Sequence, residues 1–268
     1  MHSGFRALFI GIFSLSTSLA AFSQEEIIFP GKDNGDDMVT PSETERYSWP
    51  IVSIGGGATF YTGGMKSPRN LSKFRGTRWG INAAVEQRFG KYIGAKLNLF
   101  YGLTAGEKHT FTEFNNFQSR LISTDVRFAF HFDHLLGKKH VVAPYIAVGV
   151  GFVNFRTKSD LEDSEGIKYN LWDDGALRDQ SQTGQTNGSP EVLTRDFTYE
   201  TTVNKSGNTL TFPMEAGLRF KMHDFWDFGM GYTHTFILNR FLPATGNTKP
   251  DHYGYASATI YWYLGQFN

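Results

Sequence analysis

Residues 209–222 read TLTFPMEAGLRFKM, and this stretch decides the fold class because its side chains alternate with a period of two. Apolar residues occupy every second position from Leu210 to Met222, and the positions between them include Glu215 and Arg219. Successive side chains of a β-strand point to opposite faces of the sheet. The stretch therefore predicts a strand with one apolar face and one polar, partly charged face.

Seven further segments alternate in the same way, and such a period argues for strands. They are residues 50–62, 78–89, 92–104, 121–132, 143–155, 226–238 and 253–264. The eight segments predict an all-β fold, an eight-stranded antiparallel up-and-down transmembrane β-barrel occupying residues 49–268.

The connections between these strands alternate in length. Short connections are expected at 90–91, 133–142 and 223–225, and longer ones at 63–77, 105–116, 156–208 and 239–252. Short periplasmic turns and long outer loops are typical of outer-membrane barrels. The sequence thus predicts four outer loops, of which 156–208 is the longest.

The N-terminus has the layout of a cleaved secretory signal peptide over residues 1–23. Arg6 is followed by an apolar run over 7–21, and Ala21-Phe22-Ser23 is a small-x-small cleavage site. Residues 24–48 are polar and are interpreted as a periplasmic lead-in. These features predict export to the outer membrane of a Gram-negative bacterium.

Composition narrows the range of functions. Lys plus Arg and Asp plus Glu are both 26, so the formal net charge is zero. The charge balance therefore gives no indication of a nucleic-acid partner. The chain has no cysteine, which excludes disulfides and cysteine metal sites. Neither a cofactor nor a metal site is predicted; the acidic segment 160–166 lacks the twelve-residue register of a calcium loop.

Alternation alone does not say which face is inside, because a soluble lipocalin-like barrel would bury its apolar face. In this sequence the glycines share a face with the charged residues, as a narrow lumen requires. Aromatic residues also crowd the strand ends, as interfacial girdles do. Together with the signal peptide, these features favour the membrane barrel over the soluble one.

Eight charged residues of both signs fall on the predicted lumen face. We expect them to form an ion-pair network that fills the barrel, because buried charges need partners. The alternative is a narrow, porin-like channel gated by a switchable salt bridge. The residues are Glu86, Arg88, Lys96, Asp125, Arg127, Glu215, Arg219 and Lys221.

His234 raises a second alternative, a lipid-modifying outer-membrane enzyme in which a histidine activates a nearby hydroxyl. Its strand carries no serine, and the adjacent hydroxyl belongs to Thr235, an uncommon nucleophile. No catalytic residue is therefore predicted, and His234 is interpreted as an interfacial polar residue.

The long loop 156–208 contains three large side chains in an otherwise polar region. Tyr169, Leu171 and Trp172 are candidate contacts for a partner, since exposed aromatic residues are frequent binding hot spots. The alternative is that they cap the mouth of the barrel.

Four stretches carry a family resemblance: APYIAVGVGF (143–152), PMEAGLRF (213–220), FGMGYTHTF (228–236) and YWYLG (261–265). They resemble the porin-like outer-membrane β-barrel families common in Bacteroidetes, related in fold to the transmembrane barrel of OmpA. The resemblance implies an eight-stranded barrel but leaves function open, because one fold hosts many functions. We expect a non-enzymatic protein with a structural or interaction role, acting through its outer loops or as a subunit of an envelope complex. Its partners would be outer-membrane lipid and a protein in the envelope or outside the cell.

Overall fold

The computed structural model describes residues 49–62, 77–110, 113–132, 141–183, 188–196, 198–199, 201–223, 225–238 and 251–264. The predicted signal peptide and the 24–48 lead-in lie outside these residues and stay predictions. The strands are β1 (Ile51–Tyr61), β2 (Arg78–Phe89), β3 (Ile93–Thr110), β4 (Glu113–His131), β5 (Val142–Ser159), β6 (Asn170–Leu171), β7 (Leu177–Arg178), β8 (Thr201–Lys221), β9 (Trp226–Ile237) and β10 (His252–Tyr263).

Eight of these strands close into one barrel, which confirms the predicted fold class. Their order around the barrel is β1-β10-β9-β8-β5-β4-β3-β2, and every neighbouring pair is antiparallel. Strands β6 and β7 form a separate two-stranded sheet in the connection between β5 and β8, and Arg178 of β7 also forms an isolated bridge with Val192. No described helix is long and apolar enough to cross a membrane.

The strands run further outward than the sequence predicted. The expected loop at 105–116 is wrong, because β3 continues to Thr110 and pairs there with Glu113 of β4. The expected loop at 156–208 is shorter for the same reason and covers residues 160–200. Pairing continues beyond the roughly 9–11 residues that cross a bilayer, since each strand still satisfies the backbone groups of its neighbour.

The two ends of the barrel differ. Tight turns at 90–92 and 222–225 lie at the end where β1 begins and β10 finishes. The 160–200 loop lies at the opposite end. Because short turns of such barrels face the periplasm, the first is named the inner end and the second the outer end.

The faces of the barrel are inverted relative to a soluble protein. Phe128 and Phe152 point outward with 63% and 65% of their surface exposed, whereas Glu86 and Arg219 point inward and are 2% exposed. An apolar exterior and a polar lumen are the arrangement of a membrane barrel. A lipocalin-like barrel would have these faces exchanged.

Exposed aromatic side chains form a belt near each end, as the sequence predicted. Near the inner end Trp226 lies directly opposite Trp262 across β9 and β10. Near the outer end the ring of Trp79 lies 5.6 Å from that of Tyr101. Such belts mark the two interfaces of the membrane.

Candidate functional site

The lumen near the inner end is held by one carboxylate that contacts two arginines and a histidine. Glu86 of β2 lies 2.8 Å from Arg219 of β8, 3.0 Å from His131 of β4 and 3.6 Å from Arg88 of its own strand. Arg88 Nη2 lies 2.9 Å from His131 Nδ1. These residues form the inner charged layer, which joins three strands across the lumen.

A second layer lies in the middle of the barrel and is centred on Glu215 of β8. Lys96 of β3 donates to both Glu215 oxygens at 3.0 Å, and Arg127 of β4 donates to Oε2 at 2.5 Å. Arg127 also binds Asp125, at 2.5 and 3.0 Å. Tyr145 donates its hydroxyl to Glu215 Oε1 at 2.7 Å. In this middle charged layer every charge has a partner of opposite sign.

Two tyrosines connect the charged layers. The hydroxyls of Tyr145 and Tyr261 lie 3.1 Å apart, and the guanidinium of Arg219 stacks 4.0 Å above the ring of Tyr261. The rings need space that only glycine leaves: a Cβ on Gly217 would lie 2.7 Å from the Tyr145 ring, and one on Gly229 would lie 2.6 Å from the Tyr261 ring. Glycine in these strands therefore makes room for aromatic filling.

The outer part of the lumen is apolar and aromatic. Phe100 packs edge-on against Tyr255 at 4.9 Å, and Tyr61 packs edge-on against Phe117 at 5.0 Å. We name this cluster the aromatic plug; its members are Tyr61, Phe100, Phe117, Leu121, Val153, Phe155, Ile237, Tyr253 and Tyr255.

Between the aromatic plug and the middle charged layer lies a cavity of about 10 Å³, lined among others by Lys96, Glu215, Phe100 and Tyr255. This volume accommodates about one water molecule. Along the barrel axis, the lumen is therefore filled by the inner charged layer, the middle charged layer and the aromatic plug.

Seven of the eight charges predicted for the lumen lie in the two charged layers. Lys221, the eighth, is half-buried at the inner end of β8, opposite Asp227 of β9, and belongs to neither charged layer. Sequence reasoning missed the roles of His131 and Tyr145. Both lie in phase with residues already assigned to the lumen, so the period of two was the signal that could have found them.

The structure separates His234 from the hydroxyl of Thr235, the nucleophile that the sequence offered. Thr235 points into the lumen and is 3% exposed, whereas His234 points outward. His234 Nε2 lies 3.1 Å from His252 Nδ1, and His252 Nδ1 lies 2.8 Å from Thr62 Oγ1. Thr235 is thus on the wrong face to be activated by His234.

The outer loop has a structure of its own. Leu171 of β6 pairs with Leu177 of β7, and the chain returns so that Leu193 donates its N–H to the Leu177 carbonyl at 2.8 Å. Trp172 Nε1 donates to the Gln180 carbonyl at 2.8 Å. The Arg178 guanidinium lies 4.3 Å above the Trp172 ring. We name residues 168–193 the loop hairpin.

Tyr169, Leu171 and Trp172, the candidate contacts, are half-buried within this hairpin rather than freely exposed. The Tyr169 hydroxyl accepts the N–H of Asp196 at 3.2 Å. Arg178 holds the Asp174 carboxylate in a two-pronged contact at 2.7 and 3.0 Å. That side-chain hydrogen bond lowers the pKa of Asp174 below its ordinary value and raises that of Arg178.

The base of the loop is fixed to the mouth of the barrel. Asp160 is fully buried and lies 2.5 Å from Arg195. Asn116 of β4 binds both the N–H and the carbonyl of Asp160, at 2.8 and 2.7 Å. The two arms of the loop are therefore joined where it leaves β5.

Within the part of the chain that the structure describes, no three His, Asp or Glu side chains lie together as metal ligands would.

The family to which the sequence is matched agrees with this architecture. A family model described as outer membrane protein beta-barrel domain matches residues 38–256. Among solved structures, the chain is similar to Neisserial surface protein A (NspA), with 12% identity, a TM-score of 0.44 and coverage of 81% of this chain and 97% of that one. It is also similar to Ail, the attachment invasion locus protein of Yersinia pestis (13% identity, TM-score 0.39, coverage 80% and 97%). A third similar structure is the outer membrane enzyme PagL (12% identity, TM-score 0.31, coverage 80% and 99%). No curated protein matches the chain.

Proposed function

The chain belongs to the outer membrane protein beta-barrel domain family and lies in the outer membrane, and we propose that it is a non-conducting barrel that presents its outer loop to a protein partner. The observation that carries this proposal is the filled lumen. A barrel with no path through it acts through its surfaces. We also propose, from the sequence, that a signal peptide is cleaved during export and that the protein comes from a member of the Bacteroidetes.

The lumen opposes conduction at three successive levels. An ion would have to part Glu86 from Arg219, then Glu215 from Lys96, and then pass the aromatic plug. Removing one partner from a buried ion pair costs about 3–5 kcal/mol, because the remaining charge stays desolvated. The porin-like alternative would need all three levels to open together.

The outer loop supports a binding role because an ion pair and backbone hydrogen bonds hold its described residues in place without a partner. Its base is fixed by Asp160 and Arg195, and the loop hairpin is closed by backbone hydrogen bonds. A pre-ordered loop loses less conformational entropy on binding. Val192 adds an apolar side chain with 60% of its surface exposed. We propose that Val192 and the nearby Tyr169, Leu171 and Trp172 form the contact surface.

A planar-bilayer recording tests the filled lumen. The purified protein should give no steady unitary conductance. The double variant F100A/Y255A, which removes two rings of the aromatic plug and leaves both charged layers in place, should not conduct either. Faster migration of unboiled samples on gels would show that both proteins are folded. Steady conductance from folded wild-type protein would overturn the non-conducting proposal.

Photo-crosslinking in intact cells tests the loop. A photoreactive residue at Val192 should give a discrete protein adduct, and one at Phe225, exposed at the inner end, serves as the control. Trp172→Ala should reduce the Val192 adduct, because it disturbs the hairpin that orients the loop. Adducts only from position 225 would contradict a role for the outer loop.

Mass spectrometry of lipid A tests the lipid-modifying alternative. Lipid A masses that are the same with and without the protein would speak against it.

A further inference from the structure

We propose that the outward face of β4 and β5, just beyond the apolar band, binds the phosphorylated sugar headgroup of an outer-leaflet glycolipid. Arg120 of β4 lies directly opposite Arg156 of β5, and both side chains are exposed. Lys158 is the next outward-facing residue of β5. These three cations are named the basic cluster.

Within the part of the chain that the structure describes, the basic cluster has no counter-charge. Like charges directly opposite each other on neighbouring strands destabilise the pair. Among the described residues, neither Arg120 nor Arg156 nor Lys158 has an ion pair or side-chain hydrogen bond. Every charge of the middle layer, by contrast, has a counter-charge within reach. An anion placed between the two guanidinium groups would turn the repulsion into two attractive contacts.

The height of the basic cluster indicates a lipid headgroup as the source of that anion. On β4 the outward-facing residue that precedes Arg120 toward the membrane is Ile122, which is 46% exposed. On β5 the outward face passes from Phe152 through Asn154 to Arg156. The apolar band therefore ends one or two outward positions below the cluster. Basic clusters at this level bind anionic headgroups.

The chemistry of the cluster suits phosphate. A guanidinium presents a planar fork of donors that matches phosphate oxygens, and charge-assisted bonds of this kind are the strong ones. The strand pairing between β5 and β8 shifts register between Arg156 and Lys158. Such irregularities re-aim side chains, so Lys158 does not simply repeat the direction of Arg156.

The neighbouring polar side chains favour a sugar over a simple phospholipid. Asn154 donates to Asn208 of β8 at 2.7 Å, and both amides are exposed beside the cluster. Gln118 lies opposite Lys158. Amide groups donate and accept hydrogen bonds, and sugar hydroxyls offer both functions. A phosphate flanked by hydroxyls would thus be recognised by cations and amides together.

Native mass spectrometry of the full chain in neutral detergent tests the proposal. The probes are lipid A (a diphosphorylated, acylated glucosamine disaccharide), the same lipid without phosphates, and phosphatidylglycerol. The test variant is R120Q/R156Q. The control is K91Q/K168Q, which removes the same charge from two exposed lysines that are not part of the cluster.

We expect R120Q/R156Q to bind lipid A more weakly by at least about tenfold, because both charge-assisted contacts to the anion are lost. The control variant should bind like the wild type, and the dephosphorylated lipid should bind weakly to all three proteins. Equal binding of lipid A by wild type and R120Q/R156Q would overturn the proposal. An equal loss for phosphatidylglycerol would overturn the sugar specificity and leave a general anionic surface.

A stability measurement keeps the test decisive. Without anionic lipid, R120Q/R156Q should unfold at the same temperature as the wild type or at a higher one, because the repulsion between the two arginines is gone. Added lipid A should then raise the unfolding temperature of the wild type more than that of the variant. K158Q, a milder change at the edge of the cluster, should show a smaller loss of lipid A binding. Equal stabilisation of all variants by lipid A would count against the site.

Discussion

Lys96 Nζ lies 3.0 Å from both carboxylate oxygens of Glu215, although β3 and β8 are separated in the barrel by β4 and β5. The contact crosses the lumen and joins strands that share no backbone hydrogen bonds. Arg127, on one of the two strands between them, binds the same carboxylate. The barrel is thus held from inside by a carboxylate at its centre, and also by its closed ladder of strands.

Glu215→Gln tests how much this central carboxylate contributes. The variant leaves Lys96 and Arg127 buried beside a neutral amide, so the free energy of unfolding should fall by about 3–5 kcal/mol. Urea unfolding in lipid vesicles, followed by the gel-mobility shift, measures the change. Glu165→Gln in the exposed loop is the matched control and should stay within about 0.5 kcal/mol of the wild type. Equal stabilities of the two variants would show that the central carboxylate is dispensable.

Gly217→Ala tests the packing of tyrosine on glycine in the lumen. The new methyl group would meet the Tyr145 ring at 2.7 Å, so the ring must move and Tyr145 would lose its alignment with Glu215. Overpacking of this kind costs about 1–3 kcal/mol. Gly56→Ala is the control: it faces outward on β1, and its nearest atom would be 4.0 Å away. The same unfolding assay should separate the two, and a destabilised Gly56→Ala variant would refute the explanation.

Protease treatment of intact cells tests the topology. A closed barrel should migrate faster on gels when unboiled, and trypsin should cut within the 160–200 loop at the exposed Lys168. Arg120 and Arg156 should resist, because their backbones are hydrogen-bonded in the β4–β5 ladder. Lys168→Gln should remove the first cut in this loop. Early cleavage at Arg120 would mean that the outer extensions of the strands are not formed.

The barrel could be predicted from sequence because one period governs it. The alternation in residues 78–89 and in residues 209–222 predicts a strand and the face to which its side chains point. In the structure, both segments are strands with the predicted inward and outward faces. The outer extents of the strands were not predictable in this way. Residues 105–116 carry no apolar alternation that lipid would demand, and pairing there depends on a neighbouring strand rather than on burial.

Only part of the filling of the lumen could be predicted from the sequence. Charges such as Glu86 and Arg219 stand out on the polar face, so their inward direction follows from the period. Phe100 and Tyr255 point inward as well, but aromatic residues were expected at the lipid interfaces. Which charge meets which depends on the stagger of strands around the closed barrel. The sequence of a single strand does not determine that stagger. The Lys96–Glu215 contact could therefore be identified only from the structure of the closed barrel.

The loop hairpin should loosen in acid, because one of its side-chain contacts is lost there. The hydrogen bond from Arg178 lowers the pKa of Asp174, so the contact stabilises the hairpin at all pH values above the ordinary carboxyl pKa, about 4. The contribution is lost as the pH falls through the lowered pKa, because only the ionised carboxylate holds Arg178 over Trp172. Hydrogen exchange of a peptide spanning 168–180 should be constant from neutral pH to about pH 5, after correction for intrinsic rates, and faster in stronger acid. Asp174→Asn removes the titrating group, so its corrected exchange should be faster than wild type at neutral pH and independent of pH. A wild-type hairpin that loosened near neutral pH would assign its stability to another group.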